Sequence, residues 1–299
     1  MTHYQLVASN KRKSLVVVVF FMIFVGLVSY IMARGFGYGL DLVGLALILA
    51  GFTSFISYWW SDKIILGLSK AHPANRNDYF DFYTVTENLA SSQRLPMPQL
   101  YVIEDSAMNA FATGRSPEKA VVCATTGLLS RLNRSEIEAV VSHELSHVKN
   151  YDMLLMSLVT ILVGFISLLA DWMLRSSFGS NRQNRDRSSN QLQIVFVTVG
   201  LVLALLSPLI ANLIKLAISR RREFLADASG VAMTKNPQGL INALTKISQD
   251  TEPLEVANKA TAHLYISDPL KNSKSMVGWF AGLFQTHPAV RDRILALQM

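Results

Sequence analysis

Apolar residues are concentrated in four long runs along the chain. The runs cover Leu15–Ala33, Leu42–Trp60, Met153–Leu174 and Ile194–Ile218. The first run contains no charged residue, and about 20 apolar residues are enough for a helix to cross a bilayer. Asp171, Pro208 and Lys215 fall in the later runs, where a helix end or a kink tolerates such residues. The pattern therefore predicts four transmembrane helices arranged as two hairpins.

Composition also indicates a membrane protein. Of the 299 residues, 51% are hydrophobic and only 16% are charged. The first apolar run could instead be a signal peptide, but it is long for one and lacks a clear small-residue cleavage site. A second span also follows it closely. We therefore expect an uncleaved membrane anchor.

Basic residues cluster beside the apolar runs. Lys11–Lys13 precede the first run, Arg220–Arg222 follow the fourth, and the formal net charge is +7. A nucleic-acid surface is the alternative, but positive charge beside a span fixes orientation and contacts anionic lipid. We expect the lipid bilayer, and no nucleic acid, as a partner. If Lys11–Lys13 lie in the cytoplasm, residues 62–147 are expected to be cytoplasmic too. The arginine-rich linker Arg175–Gln191 would then lie outside if the third and fourth spans cross fully, which conflicts with the tendency of positive charge to stay in the cytoplasm.

Shorter patterns between the second and third runs predict a small domain of helix and sheet. A helix is predicted from Asp78 to Ser92, and β-like runs at Gln99–Ile103 and Ala120–Thr125. The segment Asn109–Gly114 between them is either an edge that binds an extended peptide or an ordinary turn. The only cysteine, Cys123, cannot form an internal disulfide and is expected to be a small core residue.

The next segment is predicted to be an amphipathic helix, because apolar residues recur in it at spacings of three and four. These residues are Ile137, Val141, Leu145 and Val148. Two residues, Asn133 and Ser135, compete as its N-cap, and each is followed three residues later by a glutamate. After His147 the third apolar run begins within about five residues. We expect the helix to continue almost directly into the bilayer.

The adjacent face of this helix carries a His-Glu-x-x-His pattern at residues 143–147. Residues four apart on a helix share a face, so His143 and His147 can both bind one metal ion at about 2.0–2.1 Å. Glu144 then lies beside the ion, where it can act as a general base. A structural metal clip is the alternative, but it would need four protein ligands and would leave Glu144 without a role. We predict one catalytic Zn²⁺ per chain.

A catalytic zinc site needs a third protein ligand. The sequence contains no His, Cys or Glu between His147 and Arg222, and Met153 stands where metzincins carry their third histidine. The next candidate is Glu223, which shares a helical face with Asp227. We predict that Glu223 binds zinc and that Asp227 orients a ligating imidazole. The alternative is a solvated Glu223 paired with the preceding arginines.

These motifs together resemble the HtpX heat-shock protease family of integral-membrane zinc metallopeptidases. The matching segments are Ser61–Lys63, Asn109–Gly114, His143–Asn150, Ser219–Ala228 and Thr286–Ile294. The resemblance implies a gluzincin catalytic domain that faces the bacterial cytoplasm and cleaves misfolded or damaged membrane proteins during stress. It also implies that Asn109 lies in the substrate groove, and that His287 and Arg293 approach the site and stabilise the oxyanion or its supports.

The expected fold is α+β and mainly helical: a multi-span helical membrane protein with a gluzincin-type zinc metallopeptidase domain of helices and a small β-sheet. We expect membrane hairpins at residues 1–62 and 153–218, and the two parts of the peptidase at 63–152 and 219–299. The expected function is that of a zinc metalloendopeptidase of the bacterial cytoplasmic (inner) membrane, acting on membrane-protein or unfolded polypeptide substrates. The alternatives are a dedicated CAAX-type processing protease and a non-catalytic membrane chaperone or scaffold. The oligomeric state stays open.

Overall fold

The computed structural model describes residues 3–36, 39, 41–179, 198, 220–255, 264–266 and 288–298. Its N-terminal part consists of the helices α1 (His3–Phe36), α2 (Asp41–Trp59) and α3 (Ser61–Leu68). Within α1, the segment Val7–Tyr30 is long and apolar enough to cross a membrane. α2 and α3 meet the same criterion only as a pair bent by 84°. The first two predicted spans are therefore helices.

A small mixed sheet follows. Its elements are β1 (His72–Pro73), α4 (Phe80–Ser92), β2 (Gln99–Ile103), β3 (Ala110–Thr113), a 3₁₀ turn (Pro117–Lys119), β4 (Val121–Thr125) and α5 (Thr126–Arg131). The strand order is β1-β2-β4-β3. The central strands β2 and β4 run parallel, and each edge strand pairs antiparallel with its central neighbour, β1 with β2 and β3 with β4. The segment after Asn109 is therefore an edge strand and not an ordinary turn.

Helix α6 (Arg134–Lys149) packs across this sheet and is almost wholly buried. Asn133 is its N-cap: the Asn133 side chain accepts from the Glu136 N–H at 3.0 Å, and the Glu136 carboxylate accepts from the Asn133 N–H at 2.9 Å. The apolar stripe faces the strands, with Leu145 fully buried against them. The predicted helix is confirmed, and Asn133 rather than Ser135 caps it.

The expectation that α6 continues straight into the third span is wrong. The axis turns by 83° between α6 and α7 (Asp152–Gly179), and Tyr151 at the bend has φ 60°. A left-handed backbone costs a non-glycine residue roughly 1–2 kcal/mol, so contacts from elsewhere must hold the bend. Beyond it, α7 packs against α1, and Leu155 and Val159 of α7 belong to the same buried apolar cluster as Phe21 of α1.

The C-terminal helices pack around α6. They are α8 (Arg220–Thr234), α9 (Pro237–Gln249) and α10 (Val290–Gln298). α8 and α9 contact α6 directly, and α10 packs on α8 and α9. Almost all of the fourth predicted span, most of the arginine-rich linker and His287 lie outside the described residues. The mainly helical α+β fold with a small sheet is confirmed, and the described residues contain one candidate span, or up to three if each bent pair is counted.

Candidate metal centre and active site

Three buried side chains bring their donor atoms together where α6 meets α8. The Nε2 atoms of His143 and His147 are 3.2 Å apart, and Glu223 places Oε2 3.7 Å from the first and Oε1 3.6 Å from the second. Tetrahedral bonds of 2.0–2.1 Å to zinc would separate two ligand atoms by about 3.3–3.4 Å. The donor set therefore fits a zinc ion with only small adjustments.

The far side of the His143 ring is held by a buried ion pair. His143 Nδ1 lies 2.9 Å from Asp227 Oδ1, and Arg293 donates to both Asp227 oxygens, from Nη2 at 2.6 Å and from Nε at 2.8 Å. Burial raises the pKa of Asp227, but the hydrogen bonds from Arg293 and His143 outweigh it and bring the pKa to about 2. An ionised Asp227 keeps the proton on Nδ1 and leaves the Nε2 lone pair available to bind a metal ion beside Glu223.

The ring of His147 has an equivalent partner that the sequence did not reveal. Its Nδ1 lies 3.2 Å from Oδ2 of Asp152, the first residue of α7. Oδ1 of the same carboxylate accepts from Asn10 at 2.7 Å and from Arg222 at 3.2 Å. Helical spacing could not find Asp152, because the chain bends between it and His147. The available signal was that Asp152 is an acidic residue at the start of an apolar run, because a buried carboxylate needs a partner.

The other predicted site residues have different surroundings. Glu144 is buried on α6. The pKa of the Cys123 thiol on β4 is raised mainly because Cys123 is buried, and secondly because the negative charge of Glu144 is nearby. Cys123 is therefore a buried, unreactive core residue, as expected. Asn109 directly precedes β3, where its N–H donates to Thr125 Oγ1 and its carbonyl accepts from the Thr125 N–H, both at 3.0 Å. His287 lies outside the described residues.

Residues 264–266 connect the ion pair to the edge of the sheet. Arg293 Nη1 donates to the Ile266 carbonyl at 3.3 Å, and the Ile266 N–H donates to the Ala110 carbonyl at 3.0 Å. The backbone of Asn109 bonds to Thr125 on β4. Backbone groups along a strand point alternately to its two sides, so the N–H and C=O of Ala110 point away from β4. Arg293, expected from the resemblance to approach the site, thus contacts both Asp227 and a segment on the open edge.

The histidines of a His-Glu-x-x-His helix meet a glutamate from a second helix, and helices able to span a membrane lie beside them. This combination defines a membrane-associated metallopeptidase. The model of Peptidase family M48 matches residues 81–299, and the chain belongs to this family. It is 40% identical over 298 residues to the Protease HtpX homolog of Thermoanaerobacter pseudethanolicus, covering 99% of this chain and 97% of that one.

Two further proteins are similar over nearly the whole chain. Identity to the Protease HtpX homolog of Streptococcus uberis is 39% over 302 residues, covering 99% of both chains. The crystal structure of S. mikatae Ste24p has a TM-score of 0.49 and 18% identity, and the match covers 99% of this chain and 67% of that one. The predicted membership of the HtpX proteases is confirmed by the two HtpX homologs, and the protein is a membrane metallo-endopeptidase.

Proposed function

We propose that this protein is a zinc-dependent endopeptidase of the bacterial cytoplasmic membrane that cleaves misfolded or damaged membrane proteins in their cytoplasmic segments. The convergence of His143 Nε2, His147 Nε2 and the Glu223 carboxylate is the observation that carries the proposal. The three donors, each at most 5% exposed, are two imidazoles and one carboxylate, which is a donor set typical of catalytic zinc. The fourth position of such a site is left for water or substrate.

Each residue then has a chemical role. His143, His147 and Glu223 would hold the zinc ion, which when bound would lower the pKa of water towards about 7 and polarise the scissile carbonyl. Glu144 takes the proton of the attacking water and later gives it to the leaving amide nitrogen. Asp227 and Asp152 keep the two imidazoles in the tautomer that presents Nε2. Because water is the nucleophile, no covalent bond between substrate and enzyme is needed.

The position of the site favours unfolded chains at the membrane surface as substrates. The metal helix α6 ends where α7 begins, and α7 packs on the candidate span in α1. Main-chain groups at the edge of a sheet bind an extended peptide with little sequence preference. β3 is an edge strand, and the Ile266 N–H, which bonds to the Ala110 carbonyl, already uses its outer side in this way. By the register of β3, the backbone N–H and C=O of Ala112 point to the same side as those of Ala110, away from β4. Such an edge suits scattered cuts in unfolded segments.

The proposal is tested by cleavage of an unfolded model protein by the full chain in detergent. The chain is purified with a chelator to limit self-digestion, and zinc is added to start the reaction. Glu144→Gln should keep the zinc and lose cleavage by several orders of magnitude, because the general base is gone. Glu138→Gln, on the same helix but outside the site, is the matched control and should cleave like the wild type.

The pattern of cuts distinguishes the alternatives. Many cuts in unfolded segments support quality control, whereas one preferred site points to a processing protease. A wild-type chain that binds one equivalent of zinc and cleaves nothing would indicate a scaffold. Near wild-type cleavage by Glu144→Gln would contradict the assigned mechanism.

A further inference from the structure

We propose that Asn10, on the membrane helix α1, is a positioning residue of the metal centre that acts on His147 through Asp152. The inference rests on the proposed function, because it assumes that His147 binds the metal. It assigns α1 a role in the active site in addition to membrane anchoring. The argument starts from the two hydrogen bonds of the Asn10 side chain.

Asn10 is only 3% exposed, and its amide nitrogen has two acceptors within reach. Nδ2 donates to the Asn150 carbonyl at 2.8 Å and to Asp152 Oδ1 at 2.7 Å. Both partners are acceptors, so only an amide orientation that presents its two N–H groups satisfies them. No carboxylate or aliphatic side chain can make this pair of bonds.

The two acceptors lie on either side of the bend between α6 and α7. Asn150 is the C-cap of α6, Tyr151 has φ 60°, and Asp152 begins α7 after the 83° turn. The neighbouring Lys11 ammonium lies 4.5 Å from the centroid of the Tyr151 ring. Consecutive residues of α1 therefore contact all three residues of the bend, which explains how the strained Tyr151 backbone is held.

Asp152 passes this restraint on to the metal ligand. One oxygen is held by Asn10 and by Arg222 at 3.2 Å, and the other lies 3.2 Å from His147 Nδ1. A carboxylate with both oxygens engaged cannot rotate away from the imidazole. Loss of the partner that orients a metal-bound histidine typically lowers metal affinity about 10–100-fold. Removing the Asn10 donor should therefore weaken metal binding at a site to which Asn10 contributes no ligand.

The test uses the full chain in detergent and the isosteric variant Asn10→Asp. That variant has no N–H donor and places a second negative charge against Asp152. We expect zinc affinity, measured by competition with a chelator, to fall about 10–100-fold. We also expect the visible spectrum of the Co²⁺-loaded protein to change, because the geometry of one ligand is altered. Cleavage should lose kcat at saturating zinc, with KM unchanged, since Asn10 is not placed to touch substrate.

Ser14 provides a matched control. It lies one turn further along α1, is equally buried, and its hydroxyl donates to the Asn10 carbonyl of its own helix at 2.9 Å. Ser14→Ala should leave zinc affinity and the cobalt spectrum unchanged. The exchange variant N10D/D152N restores one amide–carboxylate hydrogen bond and still offers an amide oxygen to His147. It should recover part of the zinc affinity lost in N10D.

The outcomes separate this inference from the proposed function. Wild-type zinc affinity and an unchanged cobalt spectrum in Asn10→Asp overturn the inference and leave the metal centre standing. The inference is also overturned if Asn10→Asp lowers only the unfolding temperature of the metal-free protein, because that effect reflects packing alone. A wild-type chain that binds no zinc overturns both proposals.

Discussion

At the scale of the residue, the two candidate histidine ligands are oriented by similar means but in different settings. Asp227 holds His143 and is itself held by Nε and Nη2 of the buried Arg293. Asp152 holds His147 and draws its partners from two helices, α1 and α8. The Asp227–Arg293 pair is almost inaccessible to water, so neither member is well solvated if the other is removed. A change at Asp227 should therefore affect both stability and metal binding.

We predict that Asp227→Asn lowers the free energy of unfolding by about 3–5 kcal/mol, because it removes the carboxylate that is hydrogen-bonded to the buried Arg293 charge. Zinc affinity should also fall about 10–100-fold, since a neutral amide orients His143 less well. Chemical unfolding and chelator competition measure the two effects. Asp292→Asn, at an exposed acid beside Arg293 on α10, is the control and should change neither. Equal behaviour of the two variants would contradict the role given to Asp227.

At the scale of the element, the sequence predicted best where a hydrophobic pattern was present. The stripe on α6 and the apolar runs of β2 and β4 identified those elements, and His143 with His147 followed from spacing on a helix. β3 was ambiguous because its four residues are all buried and do not alternate. The residues of the bend at Tyr151 contact Asn10 and Lys11, which are distant in the sequence. No local pattern could have indicated it.

Helix α8 shows a second limit of hydrophobic patterns. Its buried residues are Glu223, Ala226, Asp227 and Gly230. This face is small and polar rather than apolar, because it must approach α6 closely and bring two carboxylates to the histidines. The close approach is made at Gly230, where an added Cβ would lie 2.9 Å from Ser142 Oγ and 3.1 Å from the His143 backbone nitrogen. A side chain at this position would push the two helices apart.

Gly230→Ala should therefore weaken zinc binding, because separating α8 from α6 moves Glu223 away from both histidines. Overpacking of this kind typically costs about 1–3 kcal/mol of stability. The control is Gly67→Ala on α3, where no atom of the described residues outside the local helix backbone lies within 4 Å of the added Cβ. Alanine favours a helix over glycine by up to about 1 kcal/mol, so the control should be neutral or slightly stabilising. If Gly230→Ala matches that control in zinc affinity, the close approach does not position Glu223.

At the scale of the whole molecule, the candidate site draws on residues from Asn10 to Arg293. The proposed division into two membrane hairpins and two peptidase parts describes the order of segments along the chain. In space, contacts around Asp152 join helices from several of these segments, namely α1, α6, α7 and α8. The helix that contains the candidate span and the helices that carry the candidate metal ligands therefore share one buried polar network. A detergent or lipid that disturbs α1 should consequently act on the metal centre as well.

The same network argues for the orientation of the protein in the membrane. Lys11–Lys13 directly follow Asn10, and Arg222 contacts Asp152, so two basic clusters lie on the same side of the bilayer as the metal centre. Positive charge beside spans is retained in the cytoplasm. We therefore propose that the active site faces the cytoplasm and that the connection between α1 and α2 lies outside.

Reporter fusions test this orientation. Green fluorescent protein at the C-terminus should fluoresce, since it matures in the cytoplasm, and alkaline phosphatase inserted at Gly39 should be active, since it requires export. Both fusions are made in the Glu144→Gln background, so that self-cleavage cannot release the reporter. A non-fluorescent fusion at the C-terminus together with inactive phosphatase at Gly39 would place the metal centre outside. Cleavage of cytoplasmic segments would then be impossible, because the substrate and Glu144 would be on opposite sides of the membrane.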